Sequence, residues 1–579
     1  MAARGARSRS GKGGGEGRTR SRATTVPTSF DPGARLNLLF GIFALLAVVI
    51  AGRLVFLTLV VGPENAEKAA DTRTISVELP ARRGTIYDRN GIVLAKDVDA
   101  STIYCNPYEV TDVNGTSAQL AAILGGESTS YIEPLSTPDT SFAYIFRKAD
   151  KDLGDKIEAL GLEGIYTIDD SKRVYPCGQT AGQVVGICDV DGQGLTGLEL
   201  YYDDILSGEN GELVVERGQN GFPIAGGLNL RTAARDGEDI MIAIDLDMQE
   251  YLEARLAVAV SEIGGKAGNA LLYDAGTGEI VAIASTPFLD PGDRENIAQG
   301  APELKGVTAS FEPGSIFKTV SAAAILEEDV LKPSDTIMCP SYLPADEYFV
   351  SDAHDRADET MSFRDIIARS SNVGISLASE KLGFSKLYDA IMRYNLNEET
   401  GVDYPGEGAG FCADVEDWSL IQSYNVSFGQ GITVTPLQMS RFYGAIINDG
   451  VECTPHLLVS KPQTGEIARY STEKVFENTE ILPTLQSMLK SVVAEGTATD
   501  AQIEGFEPAG KTGTAEYALE SGSYAVGSYN ISFVGFLPDT TSQLVCFVGV
   551  TEVPGDRITT PAFRDIMEYA INHYRITPQ

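Results

Sequence analysis

The sequence predicts an α+β protein carried on a single N-terminal transmembrane helix, and three observations carry that reading. An apolar run of 26 residues, Leu36 to Val61, contains one charge, Arg53. Short strand-like pieces separated by Gly-rich turns follow it up to about residue 235. From there an amphipathic helix and an apolar strand pair open a region that ends on a second strand pair and a final helix. Apolar helices fill the space between, the pattern of one antiparallel sheet with a helical subdomain inserted.

Residues 1–35 come first. They hold eight basic residues (Arg4, Arg7, Arg9, Lys12, Arg18, Arg20, Arg22, Arg35) against two acidic ones (Glu16, Asp31), in a Gly- and Ser-rich context. That composition predicts a disordered basic tail. The apolar run is long enough to span a bilayer, and too long for a cleaved leader with its short core. Basic residues before it and an acidic body after it place the tail in the cytoplasm. Arg53 lies about 25 Å along the helix from Leu36 at 1.5 Å per residue, where its side chain can snorkel to the outer interface.

The whole chain of 579 residues has a net charge of −36, with room for about three to five domains. Beyond the span, 36 basic residues face 79 acidic ones, so the exported part carries −43. Such a body is soluble and is no nucleic-acid binder. Three histidines (His354, His456, His573), none in an H-x-x-x-H pair, leave zinc hydrolysis without a ligand supply. A serine nucleophile here therefore calls for a base other than histidine. The seven cysteines form no C-x-x-C and read as scattered small core residues.

The β-rich stretch opens polar (Glu64 to Thr74). ARRGTIYDRNGIVLA (Ala81 to Ala95) then predicts a hairpin, with Thr85-Ile86-Tyr87 as strand and Asp88 to Gly91 as turn. Lys151 to Leu160 is the one helix of several turns expected before residue 235. After Asp236 come a strand (Ile240 to Ile244) and an amphipathic helix (Asp247 to Ile263). A hairpin (Asn269 to Tyr273, Glu279 to Ala284) follows. The far end holds a second hairpin (Ile531 to Leu537, Leu544 to Val550) and a helix from about Pro561 to Tyr574.

Chemistry enters at Ser315-Ile316-Phe317-Lys318. The S-x-x-K pattern alone is weak, since Ser471…Lys474 and Ser487…Lys490 repeat it. Context separates the first. It follows the turn Glu312-Pro313-Gly314 and opens an apolar helix, so Lys318 lies one turn along from the Ser315 hydroxyl. A cation in a first helical turn opposes the helix dipole. A buried lysine loses its proton easily and can act as a general base. Ser370-Ser371-Asn372 follows, with decoys at Ser423-Tyr424-Asn425 and Ser528-Tyr529-Asn530. Lys511-Thr512-Gly513-Thr514 is the sole K-T-G and reads as the start of a strand, where Gly513 would let a ligand approach the backbone closely. The order S-x-x-K, S-x-N, K-T-G is that of a serine acyltransferase site.

On these motifs the chain resembles the class B penicillin-binding proteins, monofunctional peptidoglycan D,D-transpeptidases. ARRGTIYDRNG and GLTGLELYYDDILSG (Gly194 to Gly208) are similar to signatures of the family's pedestal domain. FEPGSIFK, SSN, SFGQGITVTPLQM (Ser427 to Met439) and KTGTAE are similar to its transpeptidase motifs. The resemblance implies a tail (1–35), a span (36–61), a dimerisation-type pedestal (62–235) and a transpeptidase domain (236–579). It implies Ser315 as the acylated serine, Lys318 as its base, and Ser370 as a shuttle of the proton to the leaving group. Asn372 would bind the substrate amide, and Lys511 and Thr512 its carboxylate. The N–H groups of Ser315 and Thr514 would form an oxyanion hole, with the donor peptide laid along Lys511 to Thr514, past Gly513. No cofactor enters that chemistry. The implied ligands are stem peptides and β-lactams, and the implied partners are the membrane, a polytopic glycosyltransferase and division proteins. FEPGS and the Ser-x-Asn form resemble division-type more than elongation-type members. A D,D-carboxypeptidase or β-lactamase-like hydrolase on the same fold is the alternative, which a large pedestal and a membrane span disfavour.

Overall fold

The computed structural model describes residues 32–61, 74–216, 229–518, 524–555 and 557–579. The basic tail up to residue 31, and the polar stretch from Glu64 except for Thr74, lie outside the described residues. The chain divides into two units, residues 1–77 with 213–230, and residues 78–212 with 231–579. In the first, the apolar run is an α-helix, Pro32–Phe56, that continues as a π-helical turn, Leu57–Val61. The stretch Leu36–Val60 is long and apolar enough to cross a membrane. Leu38, Phe40 and Phe43 point outward and exposed, as hydrocarbon solvent would favour. The Arg53 guanidinium lies 5.5 Å from the centre of the Phe56 ring.

The second unit begins with the expected hairpin. Ile86–Tyr87 pairs antiparallel with the long strand Val93–Cys105 around the Asp88 turn, whose carboxylate accepts the N–H groups of Asn90 and Ile92. Val93–Cys105 is flanked by Ala143–Asp150 and Ile165–Val174, both antiparallel to it. Two helices pack beneath and bury Ile103, Cys105, Leu120 and Ile157. One is Lys151–Leu160, as expected. The other, Val113–Leu124, contradicts the expectation of a single helix in this stretch. Its opening residues, Val113 to Ser117, read as turn; the Asp112 carboxylate accepts the Gly115 N–H and caps it, and burial of Leu120 holds it.

The two pedestal-like motifs meet in a buried ion cluster. Arg83 Nε donates to Glu199 Oε2 at 2.5 Å and its Nη1 to Asp203 at 2.6 Å. Arg173 Nε donates to Glu199 Oε1 at 2.7 Å and its Nη1 to the Gly84 carbonyl at 2.8 Å. Burial pushes the Glu199 carboxyl up, and the two guanidiniums outweigh it, holding it ionised.

Ile240–Ile242 does not join the sheet of the C-terminal part. It runs parallel to Ile86–Tyr87 and antiparallel to Leu458–Lys461, so one mixed sheet is continuous from the pedestal-like half into the rest. Tyr202 O–H bolts the same seam, donating at 2.6 Å to Asp403, which also accepts the N–H groups of Leu457 and Leu458.

The C-terminal part is built on five antiparallel strands in the order Ile280–Ser285, Ala267–Asp274, Leu544–Pro554, Tyr524–Phe536, Ala509–Ala518. Both expected hairpins are there. Leu246–Ile263, capped by Asp245, and Thr560–Tyr574 cover one face; Pro436–Ile447 covers the other. Helices between the strand pairs, among them Lys318–Glu327, Asn372–Leu382 and Leu482–Ala494, form the inserted subdomain. Ala509–Ala518 is the sheet's edge, and the serine turn lies against it. All seven cysteines are free thiols.

Glu199→Ala would leave two buried guanidiniums facing each other and is expected to cost about 3–5 kcal/mol. A thermal melt of the full chain reads this as a clear drop in Tm. Asp99→Ala, which removes an exposed partner of Arg82, is expected to leave Tm nearly unchanged.

Candidate active site

The serine turn is made by glycine and proline chemistry. Gly314 has φ +53°, and a Cβ there would stand 2.6 Å from the Thr514 carbonyl oxygen. The Gly314 N–H donates to the Gly429 carbonyl at 2.9 Å, and Glu312 accepts the Gly431 N–H at 2.8 Å. The segment Ser427 to Met439 thus clamps the turn from behind. A 3-10 turn, Gly314–Phe317, leads into the α-helix Lys318–Glu327. Ser315 makes no capping hydrogen bond; its hydroxyl faces the lysine instead.

Lys318 is completely buried. Its Nζ lies 2.9 Å from Ser315 Oγ, 2.6 Å from the Ser370 carbonyl, 3.1 Å from Ser370 Oγ and 2.6 Å from Asn372 Oδ1. A neutral amine has two N–H groups and one lone pair. The Ser370 carbonyl and Asn372 Oδ1 can only accept, so they take the two N–H groups and leave the lone pair for the Ser315 proton. Burial pushes the Lys318 ammonium well below the usual lysine range, and the charge of Lys511 adds to this.

Lys511 is the second buried amine. It sits on the edge strand Ala509–Ala518, with Nζ 2.9 Å from Ser370 Oγ, 3.1 Å from the Thr512 carbonyl and 3.3 Å from Thr512 Oγ1. Burial alone lowers it to about 7. Ser370 stands between the two lysines with φ +60°, a left-handed backbone that a side chain rarely adopts. The result is an unbroken row: Ser315 Oγ, Lys318 Nζ, Ser370 Oγ, Lys511 Nζ.

Above the row lies a cavity of about 1170 Å³, walled by Ser315, Ser370, Asn372, Thr512 and Thr514. Gly513 is buried behind them. The place of its missing Cβ is taken by Ser532 Oγ at 2.4 Å and the Pro313 carbonyl at 2.9 Å, so the glycine seats the strand against the serine turn. All eight expected residues are therefore together. The S-x-x-K decoys are elsewhere: Lys490 pairs with Glu507 and Asp539, and Ser471 meets Thr454.

Several residues of the site were not assigned to it from the sequence. Thr497 Oγ1 is 2.8 Å from Thr512 Oγ1. Asn425, Tyr529, Glu516 and His354 line the cavity; Asn425 and Tyr529 belong to the two S-x-N decoys. The carboxylate of Asp352 accepts the Ser371 hydroxyl.

An S-x-x-K helix start, an S-x-N turn and a K-T-G edge strand around one cleft define an active-site-serine acyltransferase. Residues 268–568 match the penicillin binding protein transpeptidase domain, and residues 78–242 match the penicillin-binding protein dimerisation domain. The chain belongs to the penicillin-binding protein transpeptidase family. Stage V sporulation protein D of Bacillus subtilis is 30% identical over 94% of this chain and 86% of its own. Peptidoglycan D,D-transpeptidase FtsI of Escherichia coli is 29% identical over 94% of this chain and 92% of its own. Among solved structures, penicillin binding protein 3 of Mycobacterium tuberculosis complexed with ampicillin superposes with a TM-score of 0.68 at 27% identity, covering 87% of this chain and 97% of that one. A peptidoglycan synthetase from Bifidobacterium adolescentis gives 0.71 at 26% identity, covering 88% and 98%.

If Lys318 is the base and Lys511 holds the carboxylate, as the resemblance implies, the two lysines act in opposite protonation states, which sets the pH dependence. Lys318 must be neutral to take a proton, so acylation by a penicillin rises with pH as Lys318 deprotonates. Lys511 must be charged to hold a carboxylate, so acylation falls as pH passes about 7. The second-order rate constant of penicillin acylation, which reports the free enzyme, is expected to be bell-shaped. A rate that is flat or still climbing two units above that point would contradict the assignment of Lys511.

Proposed function

We propose that this chain is a peptidoglycan D,D-transpeptidase of the division type, acting through a serine acyl-enzyme. The observation that carries the reading is the unbroken row from Ser315 Oγ through Lys318 Nζ and Ser370 Oγ to Lys511 Nζ at the floor of the cavity.

The donor stem peptide lies along the exposed side of Ala509–Ala518 as an added strand. Lys511 and Thr512 hold its terminal carboxylate, and Asn372 its amide. Ser315 Oγ attacks the carbonyl carbon of the D-Ala-D-Ala bond while its proton passes to the lone pair of Lys318. The Ser315 and Thr514 N–H groups receive the oxyanion; the fit of Gly314 against the Thr514 carbonyl keeps the two segments in contact. Collapse breaks the C–N bond. The proton held on Lys318 passes by way of Ser370 to the departing D-Ala amine, leaving an ester on Ser315. An amine of a neighbouring stem peptide attacks that ester, loses its proton to the same relay and frees Ser315, completing the cross-link. A β-lactam enters by the same attack, but its amine stays tethered to the acyl group.

The membrane helix fits a single-pass protein with the basic tail in the cytoplasm and the body outside. The similarity to FtsI and to stage V sporulation protein D supports a septum-building role. A polytopic glycosyltransferase and the division machinery are the partners that this role requires.

Fluorescent penicillin is expected to attach covalently to the full chain. Ser315→Ala should abolish labelling, while Ser471→Ala and Ser487→Ala keep it. Labelling that survives Ser315→Ala would refute the site. With lipid-linked glycan strands the protein should yield cross-linked stem-peptide dimers; trimmed monomers alone would indicate a carboxypeptidase.

A further inference from the structure

Asp352 belongs to none of the three motifs. It lies just beyond the hairpin Leu343–Ala345 and Tyr348–Val350, in the segment that walls the cavity. Its carboxylate is a shared acceptor. Ser371 Oγ lies 3.0 Å from Oδ1 and 2.9 Å from Oδ2, the Val373 N–H donates to Oδ1 at 3.0 Å, and Arg356 Nε donates to Oδ2 at 2.5 Å. The Asp352 side chain is only 12% exposed.

The tether continues on both sides. Ser371 Oγ accepts the Gly374 N–H at 2.9 Å and so caps the helix Asn372–Leu382. The carbonyl of neighbouring Ser351 accepts Asn372 Nδ2 at 3.0 Å, which turns Asn372 Oδ1 toward Lys318. Two consecutive residues, Ser351 and Asp352, therefore hold both residues that follow Ser370. Ser370 itself keeps a left-handed backbone, a state that persists where the surroundings over-determine it.

We propose that Asp352 is a positioning residue of the transfer reaction: through Ser371 and Val373 it holds Ser370 in place between the two lysines, and its negative charge counters that of Lys511 at Lys318. The inference rests on the transpeptidase reading. It assigns the middle serine of S-x-N, silent in the motif, as the hydroxyl that passes the constraint.

The charges around Lys318 decide the sign of the effect. Burial is the largest influence; Lys511, from the edge strand, disfavours the ammonium, and Asp352, from the loop, favours it. Arg356 from the same loop is held by Asp352, with Glu359 3.8 Å away, and Arg369 pairs with Glu359. Removing the Asp352 charge leaves the repulsion from Lys511 unopposed. Lys318 then gives up its proton at lower pH.

The test is the pH profile of acylation by fluorescent penicillin, measured on the full-length protein in detergent. Asp352→Asn is expected to lower the plateau about 10–100-fold, the range for losing hydrogen bonds to a charged group, and to move the acidic limb to lower pH. Ser371→Ala keeps the carboxylate, so it should lower the plateau and leave the limb in place. An Asp352→Asn protein with a wild-type plateau, or with a reduced plateau and an unmoved limb, overturns the proposal; the second result would make Asp352 a fold contact only. If Asp352→Asn does not fold, Ser371→Ala decides, and a wild-type rate there overturns the proposal. Wild-type protein that takes no label refutes the transpeptidase reading itself, an outcome distinct from all of these.

Discussion

Lys318 and Lys511 are both fully buried, and both touch the hydroxyl of Ser370. Two ammonium groups so close and so dry would repel each other and lose their hydration, so the arrangement favours loss of at least one proton. Much of the C-terminal part answers to that constraint. Gly314 lets the serine turn press against Thr514, Gly513 lets the edge strand press against Pro313, and Ser370 takes a left-handed backbone to stand between the amines. A lysine left in water would keep its proton and could not act as a base. Burial is thus the source of the chemistry, and the five-stranded sheet with its helices is what maintains the burial.

The pedestal-like half rests on a different use of charge. Glu199 is as buried as Lys318, but two guanidiniums surround it, and it remains ionised. That cluster joins Arg83 to Glu199 and Asp203, residues from the two stretches that resemble pedestal signatures. The seam with the C-terminal part is a continuous sheet through Ile86–Tyr87, Ile240–Ile242 and Leu458–Lys461, reinforced by Tyr202 on Asp403. Backbone pairing and a buried Tyr202–Asp403 hydrogen bond join the two halves at this seam.

Elements with a strong local period were legible in the sequence. Lys151–Leu160, Leu246–Ile263, the hairpins of the five-stranded sheet and the terminal helix appear where apolar spacing puts them, although the strand expected from Ile531 begins earlier, at Tyr524. Val113–Leu124 was not legible, because it opens Val-Asn-Gly-Thr-Ser, a turn-like run, and its stability comes from a cap and from Leu120 packing under a sheet. Ile240–Ile242 was legible as a strand but not by its partners, which lie more than 150 residues before it and more than 200 after it. In the site, motif order separated Ser315 from the decoys at Ser471 and Ser487. Asp352 and Thr497 carried no signal, because one acid or threonine in a loop has no spacing to betray it. Asn425 and Tyr529 were set aside as parts of decoys and line the cavity nonetheless.

By itself, the sequence determined what depends on neighbours along the chain. The apolar run is long enough for a bilayer, the turn at Gly314 starts a helix, and Lys318 stands one helical turn from Ser315. Only the tertiary structure decided which charge that lysine carries and what surrounds it. Ser370, 52 residues away from Lys318, and Lys511, 141 residues beyond Ser370, converge only when the edge strand docks on the serine turn. The physical reason is that a lysine's protonation is set by its dielectric surroundings and by nearby charge, and both are properties of packing.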